Sequence, residues 1–389
     1  MRAVPGSPAL HRPSEGNTVK FTKLGRAAVI AAAGTLLLSS CAANEPAADG
    51  AAPEGTQAAG SSLSGDVAGA GASSMGAAQE AWIAGFQTQN PDVNVTYDPA
   101  GSGAGREQFI AGGVSFAGSD AYLKDEELEG EFAACVPDTL PVDLPVYISP
   151  IAIIFNVEGV DSLNMDASTI AKIFSGQITS WDDPAIAEQN EGVELPATPI
   201  QPVHRSDDSG TTENFTEYLA ATAAADWTEG VFETWPSSVY STSEGAQGTS
   251  GVVDAVSNGT GTIGYADASR AGDLGTVALK VGEEYVPFTA DAAAAAVDAS
   301  PRVEGRHDGD IAVELDRTTT EAGVYPLVLI SYAIACTEYQ DAEAAELVKA
   351  YLSYVASEEG QLAGEANAGN APISDALRGE ILDVVETIK

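Results

Sequence analysis

Apolar residues along the chain follow two spacings, one typical of helices and one typical of strands. Met75, Ala78, Trp82 and Phe86 are spaced to lie on one face of a helix. Residues 93–97 then alternate between apolar and polar, as a half-buried strand does. The order of strand, small-residue turn and helix is repeated further along. This pattern predicts an α/β fold in which helices pack on a largely parallel sheet.

Two longer apolar stretches, 146–157 and 327–336, stand out from this pattern. Each is suited to a buried strand that crosses between two parts of the molecule. After the second stretch, residues 344–355 and 377–388 carry apolar stripes at helical spacing. The chain is therefore predicted to leave a first lobe, build a second and return.

We predict a two-lobed fold of the type II periplasmic-binding-protein kind, with the two crossing strands as its hinge. Lobe I comprises residues 63–146 and 325–389, and lobe II comprises residues 147–324. The Ala-rich run 292–296 is expected on the surface of lobe II. A cleft between two hinged lobes is a common place for a ligand in α/β proteins.

Residues 1–40 are predicted to be a signal peptide. Lys20, Lys23 and Arg26 precede the apolar run 27–38, which is too short to span a bilayer. The first 18 residues show no signal-like pattern, so Val19 is a candidate for the true translation start.

The apolar run ends in Leu38-Ser39-Ser40-Cys41, which resembles the lipobox of bacterial lipoproteins. The resemblance implies a lipidated, palmitate-bearing Cys41 that tethers the protein to the cell membrane by this anchor alone. An ordinary cleaved signal followed by a chance cysteine is the alternative. Residues 41–62 are rich in Ala, Gly, Pro and Glu and are expected to form a flexible linker.

The charge balance excludes one class of partner. The chain has 17 Lys and Arg against 57 Asp and Glu, a formal net charge of −40. Nucleic acid is not expected to bind, because its phosphates need a basic face. The acidity serves solubility, or alternatively a cation-binding surface, although no calcium-loop pattern occurs. The three histidines are scattered and no C-x-x-C pair exists, so we expect neither a metal site nor a cofactor.

Two cysteines, Cys135 and Cys336, remain once Cys41 is set aside. Outside the membrane, such a pair is predicted to form a disulfide. Two free buried thiols are the alternative.

Four clusters of small, hydroxyl-bearing residues lie at predicted helix starts or strand ends. They are residues 73–74, 101–103, 119–120 and 205–212. A helix N-terminus binds anions through unpaired N–H groups and its dipole, and glycine allows close approach of the backbone. Ser73, Ser102 and Ser209 could each be a plain N-cap, but together the clusters predict an anion site.

The segments 69–74, 101–102, 116–120 and 205–211 resemble the four binding segments of the PstS family. These proteins are the phosphate-binding receptors of bacterial phosphate ABC transporters. The resemblance spans about residues 64–389, and the order and spacing of four segments make it more specific than any single motif.

The resemblance implies phosphate-binding roles for nine residues. They are Ser73, Ser74, Ser102, Asp120, Arg205, Asp207, Ser209, Gly210 and Thr211. Ser73 and Ser102 would give hydroxyl and N–H groups, and residues 209–211 would bind through the start of their helix. Arg205 would supply charge-assisted hydrogen bonds, with Asp207 holding its orientation. Ser74 stands where the family often has an aromatic residue and would give its backbone N–H.

Asp120 carries an argument about selectivity. A carboxylate repels an anion, but it can accept a hydrogen bond from a phosphate that still carries a proton. Sulfate at neutral pH has no such proton. Asp120 is therefore expected to favour phosphate over sulfate.

The function implied by the resemblance is capture of phosphate outside the cell by a monomer on the outer face of the membrane. A membrane permease would be its partner. A secreted phosphatase, an enzyme, is the alternative from another class. It would need an activated nucleophile or a bound metal, and His204 is the only histidine near the clusters that could serve either purpose. A receptor for sulfate or molybdate is a third possibility, and Asp120 argues against it.

Overall fold

The computed structural model describes residues 63–389. The predicted signal peptide, Val19 as start, lipidated Cys41 and the linker to residue 62 lie outside the described residues. Within the described part, no helix is long and apolar enough to cross a membrane.

The described residues form eleven strands and eleven α-helices. The strands are β1 (Gly65–Gly71), β2 (Val93–Asp98), β3 (Phe116–Ser119), β4 (Pro141–Asn156), β5 (Ser162–Met165), β6 (Gln201–Arg205), β7 (Glu244–Ala246), β8 (Thr262–Asp267), β9 (Gly275–Val281), β10 (Glu284–Val286) and β11 (Val328–Cys336). The helices are α1 (Gly76–Gln89), α2 (Ser102–Ile110), α3 (Asp125–Leu128), α4 (Ala167–Phe174), α5 (Pro184–Ala187), α6 (Gly210–Thr222), α7 (Gly248–Asn258), α8 (Ala290–Asp298), α9 (Ala342–Ala356), α10 (Glu358–Ala368) and α11 (Asp375–Thr387).

The strands join into one curled sheet with the order β2-β1-β3-β11-β4-β8-β6-β7. Strand β9 also pairs with β4, and β5 and β10 pair with β9. Strand β4 belongs to both halves of this sheet. Its residues Pro141–Pro150 pair with β11, and its residues Ile151–Asn156 pair with β8. The chain thus passes from one half to the other along β4. The lobe boundaries at residues 146/147 and 324/325 remain a prediction.

The expectation of a largely parallel sheet was wrong. Strand β11 pairs antiparallel with β3 and β4, and β4 pairs antiparallel with β8 and β9. Strands β1, β2 and β3 are parallel to one another, as are β6, β7 and β8. The mixed sheet follows from the two central strands, which run in opposite directions because one leaves the first half and the other returns to it.

The expected surface position of residues 292–296 holds for only part of the run. They lie within α8, where Ala295 is exposed, but Ala293 is fully buried and Ala292 and Ala296 nearly so. Tyr325 donates its backbone N–H to the carbonyl of Ala292. Alanine fits both a core and a surface, so its neighbours in sequence did not reveal which face packs.

The predicted disulfide is confirmed. Cys135 and Cys336 are bonded across 201 positions of sequence. Both are buried, and Cys336 ends β11. The bond therefore ties the end of a central strand to the segment that precedes β4.

Candidate ligand-binding site

Strand ends and helix starts from both halves of the sheet meet around Asp120. This residue follows β3 directly and is 4% exposed. Ser74 and Ser331 donate their hydroxyls to its Oδ1, each at 2.6 Å, and Thr211 donates its hydroxyl to Oδ2 at 2.9 Å. Three hydroxyl groups from separate parts of the chain thus hold one buried carboxylate.

Burial raises the pKa of Asp120, and the three hydroxyl donors and the positive charge of Arg205 oppose that rise. An ionised carboxylate offers about four acceptor positions on its two oxygens. Two donors occupy Oδ1 and one occupies Oδ2. Oδ2 therefore retains capacity to accept one further hydrogen bond.

Arg205 ends β6 and is the cation of the site, with 2% of its side chain exposed. Its Nε donates to Asp207 Oδ1 at 2.8 Å and its Nη2 donates to Asp207 Oδ2. Nη1 donates to Thr211 Oγ1 at 3.3 Å. Burial raises the pKa of Asp207, but the hydrogen bonds and charge of Arg205, with the N–H of Gly248, outweigh it and lower the pKa overall. The pair is thus a fixed, oriented ion pair.

The N-terminus of α6 lies against Asp120. The hydroxyl of Ser209 accepts a hydrogen bond from Thr212 N at 3.2 Å, so this side chain is the N-cap of α6. A Cβ added at Gly210 would lie 2.7 Å from the Cβ of Asp120 and 2.8 Å from Ser102 Oγ. Only glycine allows this approach of α6 to the other half of the sheet.

The start of α2 faces the same point. Ser102 is the first residue of α2, and its hydroxyl accepts from the backbone N–H of Asp120 at 3.1 Å. Gly101 before it has φ 108°, and a Cβ there would meet Asp207 Oδ2 at 2.7 Å. The N-cap alternative for the Ser102 side chain does not match the structure, because the N-cap position is Gly101 and no side chain caps it.

Ser73 is held by a different helix. Its hydroxyl accepts from Thr249 N at 3.1 Å and lies 3.1 Å from Thr249 Oγ1, at the start of α7. The two residues line a cavity of about 390 Å³ together with Gly248 and Arg270. Asp207 connects the start of α7 to the residues around Asp120, because Gly248 N donates to Asp207 Oδ1 at 2.9 Å and Asp207 pairs with Arg205.

Sequence reasoning missed Ser331, Thr249 and Asn214. Ser331 is the one serine within the apolar strand β11, at a shift in register between β11 and β4. Such an irregularity reorients side chains. Asn214 donates to the carbonyl of Asp120 at 2.8 Å from α6. Its signal was only its position, one turn after Gly210.

Among residues 63–389, no group of three or more His, Cys, Asp or Glu side chains is arranged to hold a metal ion. His204 stacks on Trp235 at 4.7 Å between ring centroids, which is a packing role.

The comparison with known proteins first defines the class. Residues 56–359 match the model of the PBP superfamily domain. More specifically, the chain belongs to the PstS family. It is 32% identical over 376 residues to phosphate-binding protein PstS 3 of Mycobacterium leprae, covering 95% of this chain and all of that one. It is 31% identical over 378 residues to phosphate-binding protein PstS 2 of Mycobacterium tuberculosis, with the same coverage.

Solved structures share the fold. A high-affinity periplasmic phosphate-binding protein, PfluDING, solved with bound phosphate, superposes with a TM-score of 0.66 at 24% identity and covers 82% of this chain and 93% of its own. A phosphate-binding protein from Stenotrophomonas maltophilia gives 0.62 at 20% identity, with the same coverage. The predicted fold class and the predicted family are both confirmed.

Proposed function

We propose that this protein binds inorganic phosphate outside the cell and delivers it to an ABC-type phosphate permease. The observation that carries the proposal is the surroundings of Asp120. A carboxylate with one remaining acceptor position lies beside Arg205 and two helix N-termini. A ligand that is an anion and also brings a proton satisfies both features. The names of the relatives, phosphate-binding proteins over the full length, support the same ligand.

Within this proposal some of the nine predicted residues stabilise the charge of phosphate, and others hold those residues in place. Backbone N–H groups at the starts of α2 and α6 and the guanidinium of Arg205 stabilise the negative charge. Asp207 holds Arg205 in place through two hydrogen bonds. The hydroxyls of Ser74 and Thr211, which now donate to Asp120, lie within the same cluster. Ser73 is linked to this cluster through the start of α7, where Thr249 N donates to Ser73 and Gly248 N donates to Asp207.

Asp120 gives the site its preference for phosphate over sulfate. Its Oδ2 can accept a hydrogen bond from a protonated phosphate oxygen, while fully ionised sulfate would meet an unscreened buried carboxylate. The burial that raises its pKa also strengthens this discrimination, because charge interactions are larger away from water.

Three further parts of the proposal concern the protein in the cell. Lipidation of Cys41 would hold it on the outer face of the membrane, with residues 42–62 as a tether. The protein acts as a monomer, and the permease receives phosphate from it. No enzymatic activity is involved, because members of this family are substrate-binding proteins of a transporter.

Replacing Arg205 tests the site directly. Arg205→Ala removes the buried cation and leaves Asp207 unpaired, so phosphate affinity should fall by at least about thirtyfold, from a loss of roughly 2–5 kcal/mol. Arg302→Ala is the matched control, since Arg302 is 43% exposed and pairs with the exposed Glu380. Isothermal titration of ligand-stripped protein measures both. Equal phosphate affinity in Arg205→Ala and wild type would refute the site.

A further inference from the structure

An ionic cluster with a buried Arg–Glu pair at its centre joins the two halves of the molecule beside the proposed site. Arg106 lies on α2, four residues after Ser102, and 2% of its side chain is exposed. Its Nη2 donates to both carboxylate oxygens of Glu233 at 2.8 Å, and its Nη1 donates to Ser119 Oγ at 2.9 Å. Ser119 immediately precedes Asp120. The guanidinium thus contacts the end of β3 and reaches across to Glu233.

Glu233 belongs to the other half. It lies in the loop between α6 and β7, and 7% of its side chain is exposed. A second cation, Lys124, which precedes α3, places its Nζ 2.6 Å from Glu233 Oε2. The backbone carbonyl of Glu233 accepts a hydrogen bond from Ser209 N at 3.2 Å. One residue therefore holds the N-cap of α6 through its backbone and two cations of the opposite half through its side chain.

Burial determines how these charges affect the stability of the closed cleft. The Arg106–Glu233 pair is buried, so the attraction between its charges is larger than in water, and removing one partner leaves an uncompensated buried charge. Arg106 and Lys124 lie on one side of the cleft and Glu233 on the other, so separation of the lobes would pull these contacts apart. A contact present in one state alone shifts the equilibrium toward that state.

We propose that Arg106, Lys124 and Glu233 form an ionic latch that holds the cleft closed over bound phosphate, an inference that rests on the proposed function. They are positioning residues. The latch keeps the starts of α2 and α6 at their mutual distance, and it acts on the rate at which phosphate leaves. Arg106 also has a partner on its own side, because its Nε donates to Glu127 Oε1 at 2.9 Å.

Glu233→Gln and Glu127→Gln form a matched pair of tests. Each removes one negative charge from the same guanidinium, but only Glu233 crosses the cleft. Gln at position 127 also preserves the contact to the backbone N–H of Lys124 that the capping box needs. Release of radiolabelled phosphate into excess unlabelled phosphate gives the dissociation rate. Glu233→Gln should raise that rate on the order of tenfold, while Glu127→Gln should change it less than about twofold.

The free energy of unfolding without phosphate is measured for both variants, since a purely structural role would lower it without changing the rate. If Glu233→Gln does not fold, Lys124→Gln replaces it, because Lys124 is 40% exposed; its dissociation rate should rise in the same direction by a smaller factor. If the wild type binds phosphate and the variants at positions 233 and 124 release it at the wild-type rate, the latch is refuted and the proposed function is not. A wild type that binds no phosphate overturns the proposed function instead.

Discussion

At the scale of single residues, the proposed function depends most on Asp120, a buried carboxylate in a site for an anion. Its place in the site could be predicted from sequence, because the segment 116–120 resembles a known binding segment, and its role toward phosphate stays a prediction. Its partners could not. Ser331 is 211 positions away from Asp120, and nothing local marks it as a donor. Ser74 was expected to act through its backbone alone, yet its side-chain hydroxyl donates to Asp120 at 2.6 Å.

Replacing Asp120 by asparagine should weaken discrimination between the two oxyanions. The amide carries no charge, so the repulsion of sulfate disappears, while a charge-assisted hydrogen bond to protonated phosphate is lost. Phosphate affinity should fall on the order of tenfold and sulfate affinity should rise, as competition of sulfate with labelled phosphate would record. Asp298→Asn, an exposed change on α8, serves as control. An unchanged ratio of the two affinities would contradict the role of Asp120.

At the scale of elements, the sequence predicted which helices and strands exist better than how they pair. The apolar stretch 146–157 was recognised, but β4 already begins at Pro141. Asp143 and Pro145 made that part look unlike a strand. Asp143 is nevertheless buried there, because its carboxylate accepts from the backbone N–H of Leu123. The pairing of Arg106 with Glu233 was equally hidden, since 127 positions separate them.

Helix α6 carries a carboxyl group that makes stability depend on pH. Burial, and then the negative charge of Glu233, raise the pKa of Glu213 to about 8; Glu217 adds to the rise, and Lys124 and Arg106 oppose it. The folded protein therefore keeps a proton that the unfolded chain loses near pH 4.3. Between about pH 4.5 and 8 the folded state binds more protons, so this group lowers the free energy of unfolding as pH rises, by up to about 1.4 kcal/mol per pH unit.

Glu213→Gln should remove that contribution. Urea unfolding at pH 5, 6, 7 and 8 should show the variant gaining stability relative to wild type as pH rises, with the difference levelling off above pH 8. Glu191→Gln changes an exposed residue and provides the control. A difference between Glu213→Gln and wild type that stays constant across these pH values would contradict the raised pKa.

At the scale of the whole molecule, the acidic composition bears on how an anion can be held. The acidic composition, with a formal net charge of −40, gives the protein no general attraction for an anion. In the proposed function, phosphate is therefore held by local dipoles and by Arg205. Composition does not reveal to which lobe a helix or strand belongs. The predicted lobe boundaries therefore depend on the two long apolar stretches.

Reduction of the disulfide should destabilise the molecule. Cys135 and Cys336 close a loop of 201 residues, and in the chain-entropy model this stabilises the fold by about 5 kcal/mol. Thermal unfolding with and without reductant should show a melting temperature lower by several degrees in the reduced protein. Alkylation and mass measurement confirm that both thiols are free. An unchanged melting temperature in fully reduced protein would contradict this expectation.

The proposed cleft is selective for an anion that carries a proton. Isothermal titration of ligand-stripped protein with phosphate and, separately, with sulfate at neutral pH compares the two affinities. We expect saturable, one-to-one binding of phosphate and at least about a hundredfold weaker binding of sulfate, from roughly 3 kcal/mol of repulsion and lost hydrogen bonding at Asp120. Sulfate binding as tight as phosphate binding would contradict it.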